Sequence, residues 1–309
     1  MDDYFTAMAQ AADGVFSRVE ALRWGMSDND LTRAVRSGRL ARPRRGVYAL
    51  PRPSETPERD HAHRVRAILR GRDARAAGRS MLVLAGLPLI NADLSTVVLC
   101  GRGSERYRRG DVITYPMPRG ESGLLIDGVP TVSLETALFQ TVARDSLMTA
   151  IVAADAALHR SLVTRESLER RRTLLRRLAP RGRQLMAAVD ESCESPGESV
   201  MRVILIGLGH QVQTQVEIYT PDGQLVGRVD ALVDGWIVME FDGAVKYEGA
   251  DGREALIREK RREDALRALG YVVIRVTWAD LFTPGRLEAM VRAAQAQLRR
   301  PTRRRSVAP

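Results

Sequence analysis

Four acidic side chains and one lysine carry the clearest chemistry in this chain: Glu198, Asp230, Glu240, Asp242 and Lys246. Glu240 and Asp242 are two residues apart, so on an extended strand they share a face. Asp230 falls on the preceding strand of the same pattern, and Glu198 falls on a helix before it. Carboxylates held about 4 Å apart repel by several kcal/mol at an effective dielectric near 20. Such a group either keeps extra protons or recruits a divalent cation. An oxygen-only set suits Mg²⁺ or Mn²⁺, which can ready a water and stabilise a phosphoryl transition state. Lys246, four residues past Asp242, could position that water or neutralise developing charge. The competing reading makes Asp230 and Glu240 ordinary strand-end acids paired with arginines such as Arg228. Spacing alone leaves both open.

The elements that must hold these acids are legible from periodicity. Glu194 to Leu208 forms an amphipathic helix with Val200, Val203, Ile204 and Leu208 on its apolar side. Strands follow at about 211–219 and 225–234, separated by the turn Pro221-Asp222-Gly223. Trp236 to Phe241 is nearly continuous in apolar residues, the mark of a central buried strand. A helix over 253–269, a strand over 271–276 and a helix over 285–298 complete the pattern.

A second constellation lies at the other end of the chain. After a short helix over residues 3–12, Ser17 with Glu20, three residues on, predicts a capping box. That helix stops at Gly25, and Ser27 caps a second one over 28–37, with Asp28 and Asp30 in its first turn. A hairpin over 40–50 turns near Arg44-Arg45-Gly46. Helix, short turn, helix and basic hairpin is the order of a winged helix-turn-helix, whose second helix enters the major groove. Asn29, Arg33, Arg36 and Ser37 would face outward while Leu31, Ala34 and Val35 pack inward. The wing would carry Arg39, Arg42, Arg44 and Arg45 towards phosphates. A small helical domain that binds protein is the alternative.

Composition narrows the partners. The 309 residues carry a formal net charge of +10, which favours a polyanion, and nucleic acid is the commonest one. Only two of the 48 basic residues are lysines, Lys246 and Lys260. The two cysteines, Cys100 and Cys193, lack metal-ribbon or disulfide-framework spacing. There is no signal-peptide pattern and no apolar run long enough to span a membrane, so the expected setting is the cytoplasm.

Between the two constellations, residues 51–60 read as a proline-rich hinge, followed by a helix over 55–70. A small α/β region spans 80–132, with strands near 94–100, 111–116 and 124–132 and a turn at Asp127-Gly128. Residues 133–190 read as largely helical, with Thr164 as an N-cap. The basic run Arg170-Arg171-Arg172 with Arg176-Arg177 reads as a solvated face that could extend a DNA-binding surface. His61 and His63 read as an exposed pair on a charged helix, and the tail 299–309 as disordered.

Residues quoted from several elements together resemble a family. Glu198, Gly227-Arg228-Val229-Asp230, Val238-Met239-Glu240-Phe241-Asp242-Gly243, Lys246-Tyr247, Lys260 to Asp264 and Leu269-Gly270-Tyr271 resemble the DUF559 group of the restriction-endonuclease-like, or PD-(D/E)XK, superfamily, and are similar to very-short-patch repair endonucleases. The resemblance covers about residues 190–298. It implies that Asp230 and Glu240 are metal ligands and Glu198 the helix-borne acid. Where the superfamily's third strand reads acid-x-lysine, this chain has Asp242, so Lys246, or else Lys260, would supply the charge. The N-terminal stretch resembles the winged helix of AbiEi-type antitoxins, which implies DNA and a cognate toxin as partners and leaves room for a homodimer.

The expected protein is therefore α+β and multidomain. Residues 1–52 form a winged helix-turn-helix, 53–190 a middle α/β and helical region of unassigned role, and 191–299 a restriction-endonuclease-like α/β/α core, before the basic tail 300–309. The leading function is a Mg²⁺-dependent DNA endonuclease with Asp230, Glu240 and Asp242 or Glu198 on the metal. The alternatives are an antitoxin or transcriptional regulator with a catalytically silent nuclease-like domain, and a protein-interaction module.

Overall fold

The computed structural model describes residues 3–12, 14–51, 56–175, 179–243 and 250–298. Lys246, Tyr247, Arg176, Arg177 and the tail 299–309 lie outside the described residues. The chain divides into two compact units, one of residues 1–157 with 161–187, the other of 158–160 with 188–309.

The first unit opens with α1 (Asp3–Ala11), β1 (Val15–Ser17), α2 (Arg18–Arg23), α3 (Asp28–Arg36), β2 (Ala41–Arg44) and β3 (Val47–Ala49). The capping box expected at Ser17 forms, and Ser27 caps its helix as expected, in a second capping box with Asp30. Ser17 accepts from Glu20 N–H and Ser27 from Asp30 N–H, while each acid's carboxylate takes the backbone N–H of its capping serine. Each cap is worth about 1 kcal/mol of helix stability. The strand β1 is an addition to the expected hairpin: it pairs antiparallel with β3, giving the order β1-β3-β2. Phe5, Phe16, Leu31, Leu40 and Tyr48 form the core of this module. Their rings meet edge-on or stacked, with Phe5 and Phe16 centroids 5.2 Å apart and Phe16 and Tyr48 6.1 Å apart.

The same unit continues through α4 (Pro57–Leu69), β4 (Ala74–Ala76), α5 (Gly78–Leu84), β5 (Val97–Gly101), β6 (Tyr107–Arg109), β7 (Val112–Pro116), β8 (Leu124–Ile126) and β9 (Val129–Thr131). Four helices follow: α6 (Leu134–Arg144), α7 (Leu147–His159), α8 (Arg165–Leu174) and α9 (Ala179–Ala188). The strands form one six-stranded sheet ordered β6-β7-β5-β4-β9-β8. Helix α4 packs against β1, β2 and β3 of the first module and also against α5, β4, β5 and β9.

Two expectations for this region change. His61 is fully buried, not exposed, because α4 turns it inward. Its ring nitrogens meet the Leu94 carbonyl and the Ser80 hydroxyl, each at 2.8 Å. Burial lowers its pKa to about 4, so the ring is neutral at ordinary pH. In the basic run of α8, Arg171 is also buried rather than solvated. It pairs with Glu121 at 2.8 Å, donates to Thr136 Oγ1 at 2.6 Å and reaches the carbonyls of Arg119 and Gly120.

The second unit contains α10 (Pro196–Gly207), β10 (Val212–Tyr219), β11 (Leu225–Val233), β12 (Ile237–Phe241), α11 (Ala250–Ala268), β13 (Val272–Val276), α12 (Trp278–Phe282) and α13 (Arg286–Leu298). The sheet runs β10-β11-β12-β13, with β12 and β13 parallel and the other pairs antiparallel. Ile237, Val238 and Met239 of the inner strand β12 are fully buried, as its continuous apolar run requires. Cys100 and Cys193 are both buried and form no disulfide. Among the described residues no helix is long and apolar enough to cross a membrane.

Candidate functional site

The N-terminal module presents its polar residues in one run of surface. Leu31 and Ala34 of α3 are buried, which turns Asn29, Arg33 and Arg36 outward. Two carboxylates stand at the start of this helix. Asp28 is neutralised by an ion pair with Arg18, and Asp30 is committed to its capping box. The hydrogen bond from Arg18 holds Asp28 below the usual carboxylate range, and those from Ser27 do the same for Asp30. Arg33 lies 3.4 Å from Asp30 and keeps 72% of its side chain exposed, so its guanidinium remains open to a ligand.

The hairpin β2–β3 follows. Arg39, Arg42 and Arg45 are exposed, and the Arg42 guanidinium lies 5.9 Å from the centre of the Tyr48 ring. Arg44 departs from its expected role. Its Nε donates to the Ala67 carbonyl at 3.4 Å and its terminal nitrogen to the Arg70 carbonyl. It satisfies the carbonyls at the end of α4 instead of reaching outward. Arg70 in turn donates to Glu20 at 3.0 Å. Burial pushes Glu20 upward, but hydrogen bonds from Arg70 and Ser17 outweigh it and hold the carboxyl below its ordinary range.

A capped helix pair, a small three-stranded sheet and an arginine-bearing hairpin thus stand together. The family model for transcriptional regulators described as AbiEi antitoxin matches residues 8–51. The first 51 residues therefore contain an AbiEi-type regulator domain, and the match ends two residues past β3. No curated protein matches the chain.

The acids of the second unit are positioned by α10, β11 and β12. Glu198 lies in the first turn of α10, almost fully buried. Its carboxylate accepts from Glu194 N–H and from the Gln215 side-chain amide, both at 2.9 Å. Burial pushes its pKa up, and the charge of Asp230 adds to the rise. Close approach of α10 to the sheet needs a glycine: a Cβ at Gly197 would overlap the Phe241 ring. Gln215 interrupts β10 with a φ of +51°, between the pairs Thr214↔Ala231 and Val216↔Val229. Its contribution has no periodic signature, and the sequence reading missed it.

Pairing of Ala231 with Met239 sets Asp230 against Glu240 at the end of the ladder. Asp230 accepts the Phe241 N–H at 2.8 Å, so its side chain takes over the ladder's next hydrogen bond. Burial raises its pKa, and the Glu240 charge raises it further. Glu240 is paired with Arg262 of α11 at 2.6 Å, with 12% of its own side chain exposed. Arg262 also donates to the Arg228 carbonyl at 3.0 Å, while Arg228 pairs with Glu194 at 2.6 Å. The arginine opposite Glu240 is therefore Arg262, not Arg228. Asp242 lies past the end of β12, exposed, with its N–H bonded to the Val276 carbonyl at 2.8 Å. The structure thus brings Asp230 within electrostatic reach of both Glu198 and Glu240 and leaves Asp242 at the surface.

This donor set does not fit Mg²⁺ or Mn²⁺ as it stands. Among the described residues no group of three His, Cys, Asp or Glu side chains could hold a metal ion. Glu198 is used by Gln215 and the helix cap, Asp230 by the ladder, and Glu240 by Arg262.

Proposed function

We propose that the protein is a DNA-binding transcriptional regulator of the AbiEi antitoxin type. Helix α3 reads base edges in the major groove through Asn29, Arg33 and Arg36, and Arg42 and Arg45 of the hairpin lie along the phosphate backbone. The observation that carries this reading is the shared exposure of these side chains on a module that matches the regulator family over residues 8–51. The family description brings a toxin as the expected protein partner, and a DNA partner places the work in the cytoplasm. The second unit then serves as a scaffold, a role that needs no metal.

The test is binding of full-length protein to the DNA upstream of its own reading frame, against scrambled DNA of equal length. Preference for the upstream DNA, lost in Asn29→Ala with Arg33→Ala, is the expected result. Equal affinity for both DNAs at every salt concentration would refute sequence reading by α3.

A second reading is a Mg²⁺-dependent DNA endonuclease. It is favoured by the electrostatic coupling of Asp230 to Glu198 and to Glu240, on one helix and two adjacent strands, which supports the likeness to the restriction-endonuclease-like core. In that reading Asp230 and Glu240, with Asp242 or Glu198, would hold the ion, Lys246 would carry the positive charge, and Arg262 would have to leave. Nicking of supercoiled plasmid in Mg²⁺ or Mn²⁺, lost in Asp230→Ala and Glu240→Ala, would establish it. Plasmid that is bound but never cut would reject it.

A further inference from the structure

The disagreement between the acids of the second unit and a metal site has a specific cause, the placement of Arg262. A buried carboxylate needs a counter-charge. Glu240 obtains it from Arg262 at 2.6 Å, and Asp230 also feels that guanidinium's charge. The arginine arrives from α11, 22 residues along the chain, and a second hydrogen bond to the Arg228 carbonyl fixes its fork. Its path is kept open by a glycine. A Cβ on Gly227 would stand 2.9 Å from Arg262 Cδ and 3.5 Å from its Cγ, so any larger residue would displace the arginine's stem. Two positions from different elements, Gly227 of β11 and Arg262 of α11, are thus fitted to deliver one positive charge to the end of β12.

We propose that Arg262 is the resident counter-cation of the Asp230–Glu240 pair, so that the second unit closes this site with its own guanidinium and takes up a divalent cation only when that guanidinium is removed. The site is latent, an oxygen-donor pocket whose cation is part of the chain. The inference does not rest on the DNA-binding reading, and its test contains no DNA.

Full-length wild type, Glu240→Gln, Arg262→Met and the double variant Arg262→Met/Glu240→Gln are titrated with Mn²⁺. Free ion is followed by electron paramagnetic resonance, and melting is measured in Mn²⁺ and in EDTA. Methionine keeps an apolar stem over Gly227 and removes the charge. Loss of a full positive charge next to the carboxylates predicts Mn²⁺ binding at least about tenfold tighter in Arg262→Met than in wild type. Melting of that variant rises with Mn²⁺, and both effects vanish in the double variant. Should Arg262→Met fail to fold, Gly227→Ala reads the same quantity, because it dislodges the arginine without deleting it. A folded Arg262→Met or Gly227→Ala with no gain in Mn²⁺ binding would overturn the proposal, since the acids would then be no cation site. So would Mn²⁺ binding by wild type that is lost in Glu240→Gln, since the guanidinium would then not be excluding the ion.

Discussion

Replacing hairpin arginines separates those proposed to touch DNA from the one that holds the fold. Arg42 and Arg45 are exposed on the hairpin, whereas Arg44 is bonded to carbonyls at the end of α4. If Arg42 and Arg45 each neutralise one phosphate, Arg42→Ala with Arg45→Ala lowers the slope of log K against log salt by about 1.8 on B-DNA. Between 50 and 200 mM salt, wild-type affinity should therefore fall about twelvefold more than that of the double variant. Arg44→Ala should leave the slope unchanged and act on stability. Losing hydrogen bonds from a charged donor to the α4 carbonyls costs roughly 1–3 kcal/mol, a fall of several degrees in Tm. The assay is fluorescence anisotropy on one labelled duplex at four or more salt concentrations, beside thermal melts of the same preparations. A slope reduced by Arg44→Ala, or unchanged by the Arg42 and Arg45 pair, would refute the division drawn from the hydrogen bonds.

Two further predictions concern the middle of the chain. His61 has an ordinary pKa of 6.5 that burial lowers to about 4 in the fold. Protons therefore bind the unfolded chain first as pH falls, and stability is lost between pH 6.5 and 4, approaching about 3 kcal/mol at the lower end. Denaturant titrations across this range should show a steeper acid loss in wild type than in His61→Asn, and parallel profiles would contradict the burial argument. Arg171→Met leaves the Glu121 carboxylate buried without its cation, and should destabilise the first unit by roughly 3–5 kcal/mol in urea melts. A loss below about 1 kcal/mol would mean that water replaces the guanidinium.

Local signals were legible in the sequence and distant ones were not. The capping serines Ser17 and Ser27 announce their helices because a capping box spans only four residues. Likewise Trp236 to Phe241 reads as an inner strand because burial on both faces leaves a nearly continuous apolar run, broken only by Glu240. The strands β1, β4 and β6 are three residues each, too short for any period to register, and they are held by pairing with distant partners. The destinations of the arginines were the least legible. Arg44, Arg171 and Arg262 each find a partner more than 20 residues away, and a guanidinium on a flexible stem reaches solvent or carbonyl with equal ease. The acids themselves were legible as a set, but their commitments to Gln215, the Phe241 N–H and Arg262 were not.

Helix α4 packs against all three strands of the N-terminal module as well as against the six-stranded sheet, and Val15, Val47, Ala49 and Ala67 share one apolar cluster across that junction. The reading head is therefore not a bead on a string. A fragment cut at residue 51 would expose Val15, Val47 and Ala49 to water and should aggregate or melt early, although the family match stops there. A rigid mount also sets how DNA is sampled. In the proposed regulator little orientational entropy is spent on docking α3, and in a dimer joined through the first unit the distance between recognition helices is fixed by that unit. Operators for such a dimer would tolerate changes in base sequence between half-sites far better than the insertion of a few base pairs.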